Sequence, residues 1–359
     1  MARVAGRREG DAMTLGPLMV DVAGKELTAE DRRVLAHPLV GAVILFTRNY
    51  DNPEQLESLV REIRAVRTPP LLVTVDHEGG RVQRFRSGFT ELPPQRAIGH
   101  VYDLDPEAGR RLAWQFGWLL AAELRAVGID LSFTPCVDLD YGVSEVIGDR
   151  AYHRDPQAVG RLAVSCMQGM KAAGMAATAK HFPGHGAVVA DSHKALPVDR
   201  RPRSELDGEL LPYRALIANG LASIMVAHVL FPEVDEAPAG FSRRWIQQEL
   251  RWGLGFTGAV FSDDLSMGGA AFAGSLTERA RRALAAGCDL LPLCNDREAV
   301  LAVLDELGGE SDPLSQVRLA RLHGRAMPDR LALQQTPRWL ECRAAVDHCR
   351  DAPQLKLDA

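Results

Sequence analysis

Short runs of apolar and β-branched residues alternate along the chain with longer stretches in which apolar residues recur every three or four positions. The short runs predict buried strands, and the longer stretches predict amphipathic helices. Two of the helical segments are 52–66 and 106–128. Eight runs predict strands, at 18–22, 40–46, 70–76, 129–139, 176–182, 222–230, 258–265 and 288–294.

Strands that alternate with helices form parallel sheets with right-handed crossovers. Eight such units predict an α/β fold, a single-domain (β/α)8 barrel of the TIM type, and an open doubly wound sheet is the main competing architecture. We expect the barrel to occupy residues 14–310. Residues 1–13 are expected to be a disordered extension, and the arginine-rich segment 311–359 to form closing helices and a tail of the same domain.

The composition is ordinary for a globular protein, with 46% hydrophobic and 25% charged residues. The net charge of -5 gives no electrostatic reason to expect nucleic acid or an anionic membrane as a partner. No apolar run approaches the ~18 residues of a membrane-spanning helix. The six cysteines include no CxxC pair. We therefore expect a cytoplasmic monomer that binds neither nucleic acid nor membrane.

Several of the predicted strands end in polar residues. In a parallel barrel the carboxyl ends of all strands open on one face, where the active sites of such barrels are built. Strand ends are often polar because the chain leaves the core there, but a Lys-His pair together with several acids favours a site. The residues concerned are Asp76, Asp138, Lys180, His181, His228, Asp263 and Asp264.

The segment KHFPGHGAVVADSH, residues 180–193, contains three histidines and an aspartate just after a predicted strand. A zinc site of the HExxH kind needs both histidines on one helical face, and Pro183 and Gly184 prevent a helix here. We therefore expect no metal. Gly184 and Gly186 instead suit a βα loop that opens and closes.

Within this loop Asp191 precedes His193 by two residues, so in an extended segment both side chains point the same way. A carboxylate beside an imidazole orients the ring and raises its basicity, as acid–base catalysis requires. His185 is expected to brace the loop. Asp263 ends the seventh strand and suits a carboxylate nucleophile, whereas Asp264 is expected to point elsewhere and brace a helix.

Five segments together resemble glycoside hydrolase family 3, in the order typical of that family. The resemblance runs from about residue 16 to about residue 300 and is closest to the bacterial β-N-acetylglucosaminidase branch. His77 is a departure, since glutamine is expected at that position. The segments are VDHEGGRVQRF (75–85), VIGDRAY (146–152), KHFPGHGAVVADSH (180–193), MVAHVLFPEVDEAPAGFS (225–242) and VFSDDLSM (260–267).

The resemblance implies a role for each matching residue. Asp263 is implied to be the nucleophile, His193 the general acid/base and Asp191 the dyad partner of His193. No cofactor is implied. Five further residues are implied to bind the sugar: Asp76, Arg84, Arg150, Lys180 and His181.

The activity implied by the resemblance is retaining exo-hydrolysis of terminal β-1,4-linked N-acetylglucosamine from 1,6-anhydro-muropeptides, as part of peptidoglycan recycling. Two alternatives stay open within enzymes, a β-glucosidase and a β-N-acetylglucosaminide phosphorylase on the same barrel. A third alternative is a non-catalytic sugar-binding sensor. Aryl glycosides and phosphate-dependent turnover distinguish these possibilities.

Overall fold

Eight parallel strands form the centre of the fold in the computed structural model, which describes residues 14–192, 194–308 and 312–351. The predicted extension at 1–13 lies outside the described residues. The strands are β1 (Leu18–Val20), β2 (Val40–Leu45), β3 (Leu72–Val75), β4 (Leu131–Ser132), β5 (Ala176–Phe182), β6 (Ser223–Val226), β7 (Ala259–Ser262) and β8 (Leu291–Leu293).

From β1 to β7 each strand pairs in parallel with the next along the chain, and β8 pairs with β1. The ring is closed between β7 and β8 by a bridge between Phe261 and Leu290 and by the amide of Leu265, which donates to Pro292 O over 3.0 Å. The prediction of a (β/α)8 barrel is therefore confirmed, and the open doubly wound sheet is wrong.

Helices connect the strands and cover the outside of the barrel. The segment between β6 and β7 is a π-helix, Arg244–Gly253. Among the described residues the α-helices are α1 (Ala29–Leu35), α2 (Pro53–Ala65), α3 (Gln95–Leu104), α4 (Pro106–Ala126), α5 (Pro156–Ala172), α6 (Asp207–Ala218), α7 (Leu276–Ala286), α8 (Arg297–Glu306), α9 (Pro313–Ala320), α10 (Arg330–Gln334) and α11 (Pro337–Asp351).

The two helices predicted from periodicity begin close to the expected positions because local residues cap their N-termini. Asn52 caps α2 by accepting the amide of Gln55, and Asp105 caps α4 by accepting the amides of Glu107 and Ala108. In both helices proline follows the cap, where its fixed φ suits the first turn and its missing N–H costs nothing.

Strand β4 is much shorter than the predicted run 129–139. Pro135 has no amide to donate, so the regular ladder is interrupted there. The chain nevertheless stays beside β5, because Lys180 N donates to Pro135 O over 3.2 Å and Val137 N donates to Lys180 O over 2.8 Å. This pairing brings Asp138 next to the residues at the end of β5.

The core has two layers. One fills the barrel, where Phe133 and Phe261 meet edge to face with ring centroids 5.6 Å apart. The other lies between strands and helices. Helix α11 packs on α4, and Trp339 Nε1 donates to Glu123 Oε1 over 2.9 Å. The domain limits 14–310 and 311–359 remain predictions. In the described part of the chain, every helix is too short or too polar to span a bilayer.

Candidate active site

A cleft of about 610 Å³ opens at the carboxyl ends of the strands. Apolar side chains form part of its wall, among them Phe46, Phe133 and Met225. Seven of the eight residues that the sequence predicts for the site line this cleft, and the eighth, His193, lies outside the described residues. The seven are Asp76, Arg84, Arg150, Lys180, His181, Asp191 and Asp263.

Four of the charged side chains form one ion-pair network. The Lys180 ammonium lies 2.8 Å from Asp76 Oδ1 and 2.5 Å from Glu78 Oε1. Arg150 binds Glu78 in a bidentate manner, with Nε and Nη2 donating over 2.9 and 2.8 Å. Burial alone would raise the pKa of Glu78, but Arg150 and Lys180 hold it below its ordinary value. The network fixes two cations and one partly exposed carboxylate at the cleft.

Glu78 was not among the residues predicted for the site, although it is 2% exposed and holds two of them. It belongs to a short hairpin of His77–Gly79 with Val82–Gln83, which directly follows β3. A signal was available, because Glu78 follows Asp76 by two residues and an extended chain points both side chains the same way.

Replacing Glu78 with glutamine should therefore lower kcat/KM without abolishing turnover. Glutamine keeps the shape but removes the charge that orients Arg150 and Lys180, and losses of this kind in supporting residues are about 10–100-fold. We expect kcat/KM for an aryl N-acetylglucosaminide, the kind of substrate that the sequence resemblance implies, to fall within that range. Glu91, an exposed glutamate outside the cleft lining that pairs with Arg86, provides the control Glu91→Gln. Equal rates in both variants would contradict the role of Glu78.

His181 is held in one tautomer by its two neighbours. Its Nδ1 lies 2.6 Å from Asp138 Oδ2, and its Nε2 lies 3.3 Å from Arg150 Nη2. Because the guanidinium can only donate, Nε2 accepts and the ring proton resides on Nδ1, which donates to the carboxylate. Asp138 also accepts the backbone amide of His185 over 2.8 Å. Asp138 thus orients the end of β5, a role that the sequence prediction did not assign.

The pKa of the Asp138 carboxyl group determines how this residue contributes to the stability of the fold in acid. Burial acts to raise its pKa, but His181 and His185 outweigh burial and lower it from 3.8 to about 2. Because the folded value lies below the unfolded one, the carboxylate stabilises the fold above about pH 4 and this contribution is lost as pH falls through about 2. Asp138→Asn should cost about 2 kcal/mol at pH 7.

Denaturant unfolding of the wild type and Asp138→Asn at pH 7 and at pH 3 measures this contribution. The difference between the two proteins should be largest at pH 7 and should shrink at pH 3. A difference that is absent at pH 7, or that grows on acidification, would show that the Asp138 charge does not stabilise the fold.

Arg84 lines the cleft, and its guanidinium is only loosely paired with Asp76. Its Nη2 lies 3.9 Å from Asp76 Oδ2, too far for a strong hydrogen bond. Its Nε is buried and lacks a hydrogen-bond partner among the described residues. The terminal Nη2, which is only loosely paired, is the atom that can donate to an oxygen bound in the cleft. A sugar hydroxyl or acetamido carbonyl is suitable.

Asp263 follows β7 directly and faces the cleft, while its amide donates to Val226 O of β6 over 3.1 Å. Its Oδ1 accepts the amide of Asp264 over 2.9 Å. The Asp264 carboxylate accepts the amides of Ser266 and Cys294 over 3.0 and 3.3 Å. Asp264 therefore braces the turn after β7 and the end of β8, rather than the helix that the sequence predicted. Burial raises the pKa of Asp264 to about 6.

The loop after β5 folds back on itself. His185 Nε2 lies 3.0 Å from Ser192 Oγ, so this histidine braces the loop as predicted. Lys194 Nζ lies 3.9 Å from Asp191 Oδ2, and the amide of Lys194 donates to Asp191 O over 2.9 Å. These contacts place Asp191 at the cleft, on the loop that also carries His193.

Cys136, Asp138 and His181 have their ligand atoms within 4.8 Å of one another, close enough to share a metal ion. The Cys136 thiol already donates to Asp138 Oδ2 over 3.2 Å. His181 already contacts Asp138 and the cationic Arg150 on its two ring nitrogens. The donor set therefore does not fit a metal cation.

A (β/α)8 barrel with carboxylates and fixed cations at the carboxyl ends of its strands has the architecture of an enzyme active site. Residues 15–322 match the glycosyl hydrolase family 3 N-terminal domain, and the chain belongs to this family. The β-hexosaminidase of Nitrosospira multiformis is 56% identical over 91% of this chain and 95% of its own length. That of Thiobacillus denitrificans is 55% identical over 96% and 97%. The chain is a glycoside hydrolase of the β-N-acetylhexosaminidase branch.

Solved structures agree with this placement. NagZ from Neisseria gonorrhoeae, in complex with N-trifluoroacetyl-D-glucosamine, superposes with a TM-score of 0.90 at 44% identity. The match covers 94% of this chain and 99% of that one. A family 3 β-N-acetylglucosaminidase from Paenibacillus is 35% identical with a TM-score of 0.79, and the match covers 92% of this chain and 61% of that one.

Proposed function

We propose that the chain is a retaining exo-β-N-acetylglucosaminidase that removes non-reducing terminal N-acetylglucosamine from 1,6-anhydro-muropeptides in the cytoplasm, during peptidoglycan recycling. One observation carries the proposal: Asp263 and Asp191 line the same cleft as the cations of Arg84 and Lys180. The proposed nucleophile, the loop of the proposed proton donor and the proposed sugar-binding groups therefore lie around one cavity. The NagZ complex with an N-acylglucosamine supports the choice of sugar.

Binding in this proposal uses the ion-pair network. Asp76 accepts from sugar hydroxyls with the oxygens that Lys180 leaves available, and Arg84 donates through its guanidinium, whose Nη2 lies 3.9 Å from Asp76 Oδ2. Arg150 and His181 are held rigidly by Glu78 and Asp138, so little reorganisation is needed when the sugar enters. Charged donors that are held in place before the sugar binds are well suited to donate hydrogen bonds to its hydroxyl and acetamido oxygens.

Catalysis proceeds in two steps. Asp263 attacks the anomeric carbon while His193 protonates the departing glycosidic oxygen, and a covalent glycosyl-enzyme forms. His193 then removes a proton from water, and the water attacks the anomeric carbon. This step frees the Asp263 carboxylate and releases the sugar with the anomeric configuration of the substrate. Asp191 holds the His193 ring and stabilises its charged form in the first step. The loop position of this pair suits a donor that engages after the sugar has entered.

Purified protein should be tested on N-acetylglucosaminyl-1,6-anhydro-N-acetylmuramyl-peptide beside chitobiose. We expect faster release of N-acetylglucosamine from the muropeptide, with the β-anomer as the first product in proton NMR. The α-anomer first would contradict retention, and a preference for chitobiose would contradict the proposed substrate. Release only as a sugar 1-phosphate, on addition of phosphate, would favour the phosphorylase, and tight binding without turnover would favour the sensor.

A further inference from the structure

His228 lies two residues after the end of β6 and is fully buried. Its Nε2 lies 3.2 Å from the carbonyl oxygen of Asp263 and 3.2 Å from that of Asp264. Carbonyl oxygens only accept hydrogen bonds, so Nε2 carries the ring proton and donates to both. One imidazole N–H therefore joins β6 to the backbone of the two residues that follow β7.

The ring of His228 is clamped in this position. Phe241 stacks on it with centroids 5.3 Å apart and planes inclined by 13°. On its other edge Gly240 approaches so closely that a Cβ there would lie 3.2 Å from Nδ1. Nδ1 is buried without a partner among the described residues, and burial lowers the pKa of His228. The ring is thus neutral and rigid, and Nε2–H is its one hydrogen-bond donor.

The segment held by His228 also contacts the loop that carries Asp191. The amide of Gly269 donates to Ser192 O over 2.8 Å. A Cβ at Gly269 would lie 2.9 Å from that oxygen and 3.3 Å from Cβ of His228. His228 therefore lies between the backbone of Asp263 and the point where Ser192 of the loop contacts Gly269. It is not among the residues that line the cleft.

We propose that His228 is a positioning residue, which sets the place of the Asp263 carboxylate by donating its Nε2 proton to the backbone carbonyls of Asp263 and Asp264. The inference rests on the proposed role of Asp263 as nucleophile. A displacement of about 1 Å in a reacting group can cost about 100-fold in rate. Because Asp263 takes part in both steps, the loss should be the same for good and poor leaving groups.

The test compares two substitutions of similar shape, His228→Gln and His228→Met. Glutamine can donate an N–H to the two carbonyls and methionine cannot. We expect His228→Met to lower kcat about 100-fold on both nitrophenyl N-acetylglucosaminide and chitobiose, with KM within about threefold of wild type. His228→Gln should recover at least about tenfold of that loss, while both variants melt at similar temperatures.

Trapping with a 5-fluoro-N-acetylglucosaminyl fluoride reports nucleophile alignment separately, through mass spectrometry of the labelled peptide. Wild type should be labelled at Asp263, and His228→Met much more slowly. If His228→Met does not fold, Phe241→Leu, which loosens the ring but keeps the donor, should also slow labelling. Equal kcat in the Gln and Met variants, or labelling of His228→Met or Phe241→Leu at the wild-type rate, would overturn the inference. Wild type unlabelled at Asp263 would overturn the proposed function itself.

Discussion

Asp263→Asn should lower kcat on nitrophenyl β-N-acetylglucosaminide by at least about 10⁴-fold, because loss of a covalent nucleophile removes the reaction path rather than one contact. Asparagine keeps the Oδ1 that accepts the amide of Asp264, so the local fold is preserved. Its neutral amide is a very poor nucleophile toward the anomeric carbon. Initial rates with enzyme freed of wild-type traces measure the loss.

The neighbouring acid provides the matched control. Asp264→Asn retains an oxygen for the amides of Ser266 and Cys294, and its side chain braces the turn instead of attacking the sugar. We expect this variant to keep far more activity, within about tenfold of wild type, because only positioning is disturbed. Comparable losses in the two variants, or near-normal turnover in Asp263→Asn, would remove Asp263 from the role of nucleophile.

His193→Ala should show a loss that depends on the leaving group. Protonation by a general acid is worth about 10²–10⁴-fold when the departing oxygen is a poor leaving group, and little when it is a nitrophenolate. The variant should therefore lose at least about 100-fold more kcat/KM on chitobiose or the muropeptide than on the nitrophenyl glycoside.

Ser192→Ala, at the adjacent position, separates this effect from disturbance of the loop. It removes the hydroxyl that contacts His185 but leaves the Asp191 and His193 side chains intact. Its losses should be similar for all leaving groups. If His193→Ala behaved in the same uniform way, the histidine would not be the proton donor.

The barrel was predictable because each strand is a short apolar run and each polar strand end marks the same face. Asp76, Lys180 and Asp263 follow this pattern and lie together at the cleft. The extent of β4 was not predictable from hydrophobicity alone, since Pro135 breaks the ladder while later residues still pair with β5. The hydrophobic pattern indicates which residues are buried, and residues after Pro135 stay buried although the strand has ended.

The partners of the site residues were harder to predict than the residues themselves. Glu78 binds Arg150, and Asp138 binds His181. Both contacts depend on how far β3, β4 and β5 are shifted along one another. His228 acts on backbone carbonyls, which leave no trace in the amino-acid sequence. Motifs therefore indicated which side chains line the cleft, and only the packing of strand ends revealed what holds those side chains.

The most direct test of the central claim is hydrolysis of nitrophenyl β-N-acetylglucosaminide beside the matching β-glucoside, at neutral pH in buffer that contains a chelator. The account predicts rapid release of nitrophenolate from the N-acetylglucosaminide, little from the glucoside, and no effect of the chelator. Equal rates on the two sugars would contradict the acetamido preference, and silence on both would contradict the assignment of Asp263 to glycoside cleavage.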